Sequence, residues 1–156
     1  MSFASPKAHA VNGAAFRVGI VASRFNEALV DALLARAQAT LRTAGVKAKN
    51  VTVVRVPGSH EVPWAAQQLA AGKRDVVIAL GVLIGGDTNH HEMVGQSVSH
   101  ALQSIAVTTG TPVINGVIVT NTLTQARART AGKINRGAEF AHAALAMAVL
   151  KKEFSR

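Results

Sequence analysis

The sequence predicts an α/β fold, a three-layer α/β/α sandwich around a mainly parallel four-stranded sheet. Short apolar runs alternate with segments of helical periodicity along the whole chain. The run from Val76 to Leu80 is apolar at every position, as in a parallel strand buried on both faces. Polar or glycine-rich segments follow the runs, at the strand ends where such sheets bind ligands.

The first strand and helix are predicted from residues 16 to 45. Phe16 to Ala22 is a short apolar, β-branched run that predicts a strand. The following helix carries an apolar stripe with a residue at every fourth position, and Gly45 is placed to terminate it. The stripe consists of Leu29, Leu33, Ala37 and Leu41.

The second and third strands are Val51 to Val56 and Val76 to Leu80. Pro57 and Gly58 break the chain after the second strand, and Pro63 suits the first turn of a helix that ends near Gly72. After the third strand we expect a glycine-rich loop that leads into a helix.

The last third of the chain predicts one more strand and two helices. Pro112 to Val119 is the strand, Leu123 to Arg129 a short helix and Gly137 to Lys152 a long one. We expect an inner face of the long helix made by Phe140, Ala144, Met147 and Leu150. The complete order of elements is typical of a flavodoxin-like sheet.

Length and composition predict one domain. The 156 residues are 49% hydrophobic, enough for a single core, and we expect a flexible arm over residues 1–13 and one domain over 14–156. No apolar run approaches the roughly 20 residues of a membrane span. The mixed, small-residue start lacks the features of a signal peptide, so a cytoplasmic protein is expected. Without cysteine there is no thiolate chemistry or Cys-based metal site.

The positive charge invites a nucleic-acid interpretation, which the composition disfavours. The formal net charge is +9, but only 4% of residues are aromatic and the cations are scattered. A basic excess also suits a solvated surface or a small anionic substrate. We therefore predict no nucleic-acid partner.

The glycine-rich segment from Gly85 to His90 is the strongest single feature, and two interpretations stay open. Its glycines, followed by the free amides and dipole of a helix start, predict a phosphate or carboxylate site, with Arg129 or Lys133 as charge partners. Alternatively, the glycines only shape a turn while Asp87 or Thr88 caps the helix.

Histidines supply the candidate acid or base. His90 and His91 open the helix beside the expected phosphate pocket, where an imidazole can move protons near neutral pH. A surface pair without function is the alternative. His60 and Glu61 would complete a zinc-like set, but adjacent residues diverge by about 100° around a helix, so His90 and His91 cannot both hold one ion comfortably.

Two aromatic residues differ in their expected roles. Phe25 directly follows the first strand and could cover a planar ligand, or pack the first helix onto the sheet. Trp64 lies within an apolar helix, which favours core or subunit-interface packing.

Four segments together resemble the lumazine synthase family. They are VASRFNEALVDALL at 21–34, VVRVPGSHEVPWAA at 53–66, ALGVLIGGDTNHHEMV at 79–94 and TGTPVINGVIVTNTLTQARAR at 109–129. Their order and spacing are similar to the family's over about residues 15–152, practically the entire domain. Four ordered motifs are far more specific than a glycine loop alone.

The resemblance implies a role for each matching residue. His90 is the implied catalytic residue, Asp87 and Thr88 bind phosphate, and Arg129 reaches that phosphate from a neighbouring subunit. Phe25 is implied to stack on a pyrimidine. The ribityl chain would contact Ser59, His60 and Glu61. The ring would be edged by the backbones of Val82, Leu83 and Ile84.

The chain departs from the family pattern at several positions. Gly85 replaces a usual arginine, His91 a usual aromatic, and Asn115 a phenylalanine that normally closes the pyrimidine pocket. The basic loop at 130–137 is one residue shorter. These changes leave open a drifted relative that serves as a non-enzymatic flavin-binding or shell protein.

The implied activity needs no cofactor and no metal. The family condenses a ribitylaminopyrimidine with a keto-phosphate, two small-molecule substrates, to form 6,7-dimethyl-8-ribityllumazine in riboflavin biosynthesis. The resemblance further implies a homopentamer or a multiple of it, with an icosahedral capsid in some members. An N-terminal strand, here Ala14 to Val18, would add to a neighbour's sheet, and riboflavin synthase is a candidate partner.

Overall fold

The computed structural model describes residues 4–156 and confirms the three-layer α/β/α class. One four-stranded sheet has the order β2-β1-β3-β4, and every neighbouring pair is parallel. The strands are β1 Val18–Ser23, β2 Val51–Val56, β3 Val76–Ile84 and β4 Val113–Thr120. The helices are α1 Glu27–Thr43, α2 Val62–Ala71, α3 His90–Thr109, α4 Leu123–Thr130 and α5 Arg136–Phe154. Short 3-10 turns lie at Ala48–Asn50 and Ser59–Glu61.

The helices cover both faces of the sheet. On one face α1, α4 and α5 pack on side chains such as Ile20, Ile78 and Leu80. On the other, α2 and α3 pack on Val21 and Val77, together with Ala79. Because alternate residues of a strand point to opposite faces, the continuous apolar run of β3 serves both layers.

Helix α1 follows its predicted stripe closely. Its buried residues are Val30, Leu33, Ala37 and Leu41. The observed stripe therefore differs from the predicted one only at its first position, where Val30 takes the place of Leu29. Gly45 has φ 91°, and its amide donates to the Arg42 carbonyl beyond the helix end. A glycine tolerates this left-handed conformation, which confirms the predicted termination.

The prediction for the third strand was too short. Strand β3 continues through Gly81 to Ile84, because residues 82–84 pair with Ile118, Val119 and Thr120 of β4. A Cβ on Gly81 would lie 2.5 Å from the Ser59 hydroxyl oxygen, so this glycine permits close packing inside a strand. It does not begin a loop.

The predicted inner face of the last helix was partly wrong. The buried residues of α5 are Gly137, Ala141, Ala144, Leu145 and Ala148, whereas Met147 and Leu150 are 38% and 39% exposed. The helix is rich in alanine around its circumference, so periodicity did not distinguish its faces. Contact with α1 decides which face of α5 is buried. The two helices approach so closely that a Cβ at Gly137 would lie 2.6 Å from the Leu33 carbonyl oxygen.

The segment assigned to a swapped strand belongs to its own chain. Val18 is the first residue of β1, and Phe16 is buried in the core beneath α1 and α5. The Gly13 amide donates to the Ala44 carbonyl at 2.7 Å, which joins this segment to the end of α1. Phe16 and Val18 are therefore held within their own chain, and the addition of a strand from residues 14–18 to a neighbour's sheet stays a prediction. None of the helices in residues 4–156 is both long and apolar enough to cross a membrane.

We expect Leu33→Ala to lower the free energy of unfolding by about 2–5 kcal/mol, because truncation leaves a cavity between α1 and the sheet. Leu33 is fully buried. The matched control is Leu150→Ala, another helical leucine but one that is partly exposed, with an expected loss under about 1 kcal/mol. Urea unfolding measures both. Equal losses would contradict the described packing of α1.

Candidate active site

The candidate site lies at the carboxyl ends of β1 and β3, the neighbouring strands at which the order of strand addition reverses. From β1 the chain leaves to α1 on one face, and from β3 it leaves to α3 on the other. Open parallel sheets usually bind a ligand in a crevice between two such departing segments. The candidate crevice therefore lies between residues 23–26 and 82–90.

Asn26 joins the two walls. Its side-chain amide donates from Nδ2 to the Val82 carbonyl at 2.8 Å. Its backbone is left-handed, with φ 56°, the one positive φ of a non-glycine residue within residues 4–156. Asparagine tolerates this conformation better than most residues, so one side chain both turns the chain into α1 and links β1 to β3.

Phe25 stands at the mouth of the crevice and is 72% exposed. Its amide donates to the Pro57 carbonyl at 3.0 Å, which ties the turn after β1 to the end of β2. Its ring lies over Gly58, where a Cβ would be 3.2 Å from Phe25 Cδ2. An aromatic face is thus presented to solvent rather than packed between α1 and the sheet.

The turn after β2 is held by Glu61. One carboxylate oxygen, Oε2, accepts from the Gly58 amide at 2.9 Å, and no described residue contacts the other by a hydrogen bond. Ser59 is buried, with its hydroxyl against Gly81 and without a hydrogen-bond partner among the described residues. His60 is exposed. The structure therefore brings Phe25 and the 59–61 segment together.

Residues 85–89 directly precede α3, and several of their backbone donors are free. Among residues 4–156, the amides of Gly86, Asp87 and Thr88 donate to no protein group. They precede a 20-residue helix, whose dipole places positive charge at this end. An anion could accept from these amides, as at other helix N-termini.

The capping interpretation of the same loop receives little support. The residue before the helix is Asn89, and its side chain makes no capping hydrogen bond. Asp87 does not cap either, and Thr88 contributes one contact, in which its Oγ1 accepts from the His90 amide at 3.4 Å. Within the described part of the chain, side chains therefore satisfy few of the backbone amides at the start of this helix.

The two histidines separate as the helix geometry requires. His90 is exposed, whereas His91 is half-buried and its Nε2 lies 3.4 Å from Asn121 Oδ1. No cluster of three or more potential metal-binding side chains occurs within residues 4–156. His90 is therefore the histidine that faces open space near the free amides.

Asn115 and Arg129 are not brought into this crevice within one chain. Asn115 lies in β4 opposite Ala79, well before the carboxyl end, and its Oδ1 accepts from the Val117 amide at 3.1 Å. Arg129 lies near the end of α4 and donates to the Gln125 carbonyl at 3.1 Å. Neither contacts the 85–90 loop. Lys133 is exposed.

Comparison with known proteins decides the family. The model of the 6,7-dimethyl-8-ribityllumazine synthase family matches residues 15–152. The chain belongs to this family. The synthase of Halorhodospira halophila is 42% identical over 88% of this chain and 89% of its own. The synthase of Pyricularia oryzae is 35% identical over 97% of this chain and 94% of its own. The synthase of Leuconostoc mesenteroides is 38% identical over 80% of this chain and 81% of its own. These matches give no support to the shell-protein alternative.

The sequence did not predict the contacts of two residues at the candidate site, Asn26 and Asn121. Asn26 lies in the segment after β1, and nothing in the local sequence predicts its bond to Val82. Asn121 follows β4 and meets His91 from a position 30 residues away. The only local indication was an asparagine directly after a strand, a residue type that is common in turns.

We expect Asn26→Ala to lower the free energy of unfolding more than Asn26→Gly. Both lose the bond to Val82, but alanine also strains the left-handed backbone, by about 1–2 kcal/mol. Asn26→Asp keeps the shape yet places an acceptor against a carbonyl, at a cost of about 1–3 kcal/mol. Chemical denaturation would measure all three. If alanine and glycine were equivalent, the described conformation of Asn26 would be wrong.

Proposed function

We propose that this chain condenses 5-amino-6-(D-ribitylamino)uracil with 3,4-dihydroxy-2-butanone 4-phosphate to form 6,7-dimethyl-8-ribityllumazine in riboflavin biosynthesis. One observation carries the proposal beyond family membership. A single crevice combines an exposed aromatic face, Phe25, with a helix start whose free amides suit a phosphate and whose first residue is His90.

The reaction needs proton transfers and positioning. The pyrimidine's amine attacks the ketone, water leaves to form an imine, inorganic phosphate is eliminated, and ring closure releases a second water. His90 is the candidate for the proton transfers, since it is exposed beside the loop that would hold the phosphate. Holding the two substrates together supplies much of the remaining acceleration.

The substrates divide between the two walls. The phosphate would accept from the free amides of Asp87 and Thr88, with Thr88 also offering a hydroxyl. The pyrimidine would stack on Phe25, with its edge along the backbone of Val82, Leu83 and Ile84. The ribityl chain would extend toward Ser59, His60 and Glu61, which lie beside Phe25. Because the Ser59 hydroxyl is packed on Gly81, its backbone is the better candidate contact.

Completion of the site would require a second copy of the chain. Arg129 and Asn115 lie outside the crevice of their own chain, and Arg129 would supply phosphate contacts to a neighbour. Large exposed apolar side chains on α2 and α3, among them Trp64 and Val107, favour association. We propose a homopentamer or a multiple of it. A capsid, a cytoplasmic location and riboflavin synthase as partner remain predictions.

We expect His90→Ala to keep the fold and lower turnover by about 10- to 1000-fold, the range for loss of a general acid or base. Lumazine absorbance after mixing both substrates measures the rate. The control is His100→Ala, an exposed histidine on the same helix, which should leave the rate unchanged. A normal rate for His90→Ala would remove that residue from catalysis, and no product from the wild-type chain would refute the proposed reaction.

We expect His90→Ala and Arg129→Ala to complement each other when co-expressed. If each site takes His90 from one chain and Arg129 from the next, random mixing restores about a quarter of the sites. Light scattering first establishes that the particles are multiples of the 16.2 kDa chain. Activity no higher than that of either single variant would contradict a shared site, as would a stable monomer.

A further inference from the structure

The start of α3 is weakly restrained apart from one side chain. The Asn89 side chain makes no capping bond, and the one described hydrogen bond of the His90 amide is to Thr88 Oγ1 at 3.4 Å, the same length as the contact of His91 with Asn121. His91, in the same turn, points the other way and meets the segment between β4 and α4. Its contact therefore bears on how firmly the turn that carries His90 is held.

The chemistry of this contact defines its direction. The Asn121 Oδ1 atom only accepts, so His91 Nε2 carries the proton and donates. The other ring nitrogen, Nδ1, is buried and has no partner among the described residues.

Gly85 makes room for the contact. Its amide donates to the Thr120 carbonyl at 2.7 Å, which brings the end of β3 close to the end of β4. A Cβ at Gly85 would lie 2.8 Å from the Asn121 carbonyl oxygen and 3.1 Å from His91 Nε2. Two departures from the family pattern, Gly85 and His91, thus occupy one small space.

Asn121 is itself anchored to α4. The backbone amides of Asn121 and Thr122 donate to Gln125 Oε1, at 2.9 Å and 3.3 Å respectively. The Gln125 amide donates in return to Thr122 Oγ1, which completes a capping box. The partner of His91 is therefore a rigid turn at the start of the helix that carries Arg129.

We propose that His91 is a positioning residue, which holds the first turn of α3, and with it His90, through its hydrogen bond to Asn121. The proposal rests on the proposed function, in which His90 moves protons. Without the bond, the first turn would be restrained mainly by its backbone. His90 would then sample positions away from the reacting atoms, which lowers turnover more than it weakens substrate binding.

The test uses the full-length, assembled protein and separates kcat from KM. His91→Ala should lower kcat by about 10-fold, with KM for the pyrimidine changed by no more than about twofold. His91→Gln should restore most of kcat, because its amide can donate to Asn121, whereas His91→Phe should not. His100→Ala, on the same helix, is the matched control.

A double-mutant cycle tests the pair itself. Asn121→Ala should lower kcat as His91→Ala does, and the double variant should be no worse than either, because both remove the same bond. Losses that multiply would overturn the proposal. So would a kcat for His91→Ala equal to that of His100→Ala, or rescue by phenylalanine but not by glutamine.

Crystal structures of the wild type and of His91→Ala give a readout independent of turnover. The bond between His91 and Asn121 should be present in the first, and the first turn of α3 should be displaced or poorly ordered in the second. An unmoved His90 in His91→Ala would overturn the proposal. If the wild type made no lumazine, the proposed function would fail on its own, and these two structures would still test the contact.

Discussion

The burial of β1 and β3 on both faces is the constraint on which the rest of the structure depends. Every residue of β1 is buried, as are the first seven of β3, so each strand needs a helical layer on either side. The chain meets this need by sending α1 to one face and α3 to the other. The crevice between their starting points is a direct consequence, so the packing of the core also creates the place for a ligand.

Close backbone approach then shapes that crevice. Three glycines stand at close approaches: a Cβ would collide with Ser59 at Gly81 and with Asn121 at Gly85, and would be tight beneath Phe25 at Gly58. Each brings the end of one strand to the segment that follows another. The hydrogen bond of Asn26 joins the segment after β1 to β3, and the contact of His91 lies beside Gly85. The candidate site is thus built on strand ends fixed by neighbours, which suits a reaction that depends on holding two substrates in register.

Within one chain the proposed anion site lacks its expected arginine. The free amides before α3 can donate to an anion, yet Arg129 is bonded to the Gln125 carbonyl on α4. Exposed apolar side chains on α2 and α3 accompany this separation. A site shared between copies accounts for both observations, because the same association would cover the apolar surface and deliver the charge.

The sequence by itself determined the class of fold and the number and succession of the strands along the chain, and it predicts the segments of the candidate site. Those properties follow from local alternation of apolar residues and from motifs such as residues 81–90. It did not determine that β3 continues through Gly81, or which face of alanine-rich α5 is buried. The partners of Asn26 and His91 were equally hidden. Only the tertiary structure decided these features, because each depends on contact between residues distant in the chain. Such a contact does not change the pattern of apolar residues in the segments that make it.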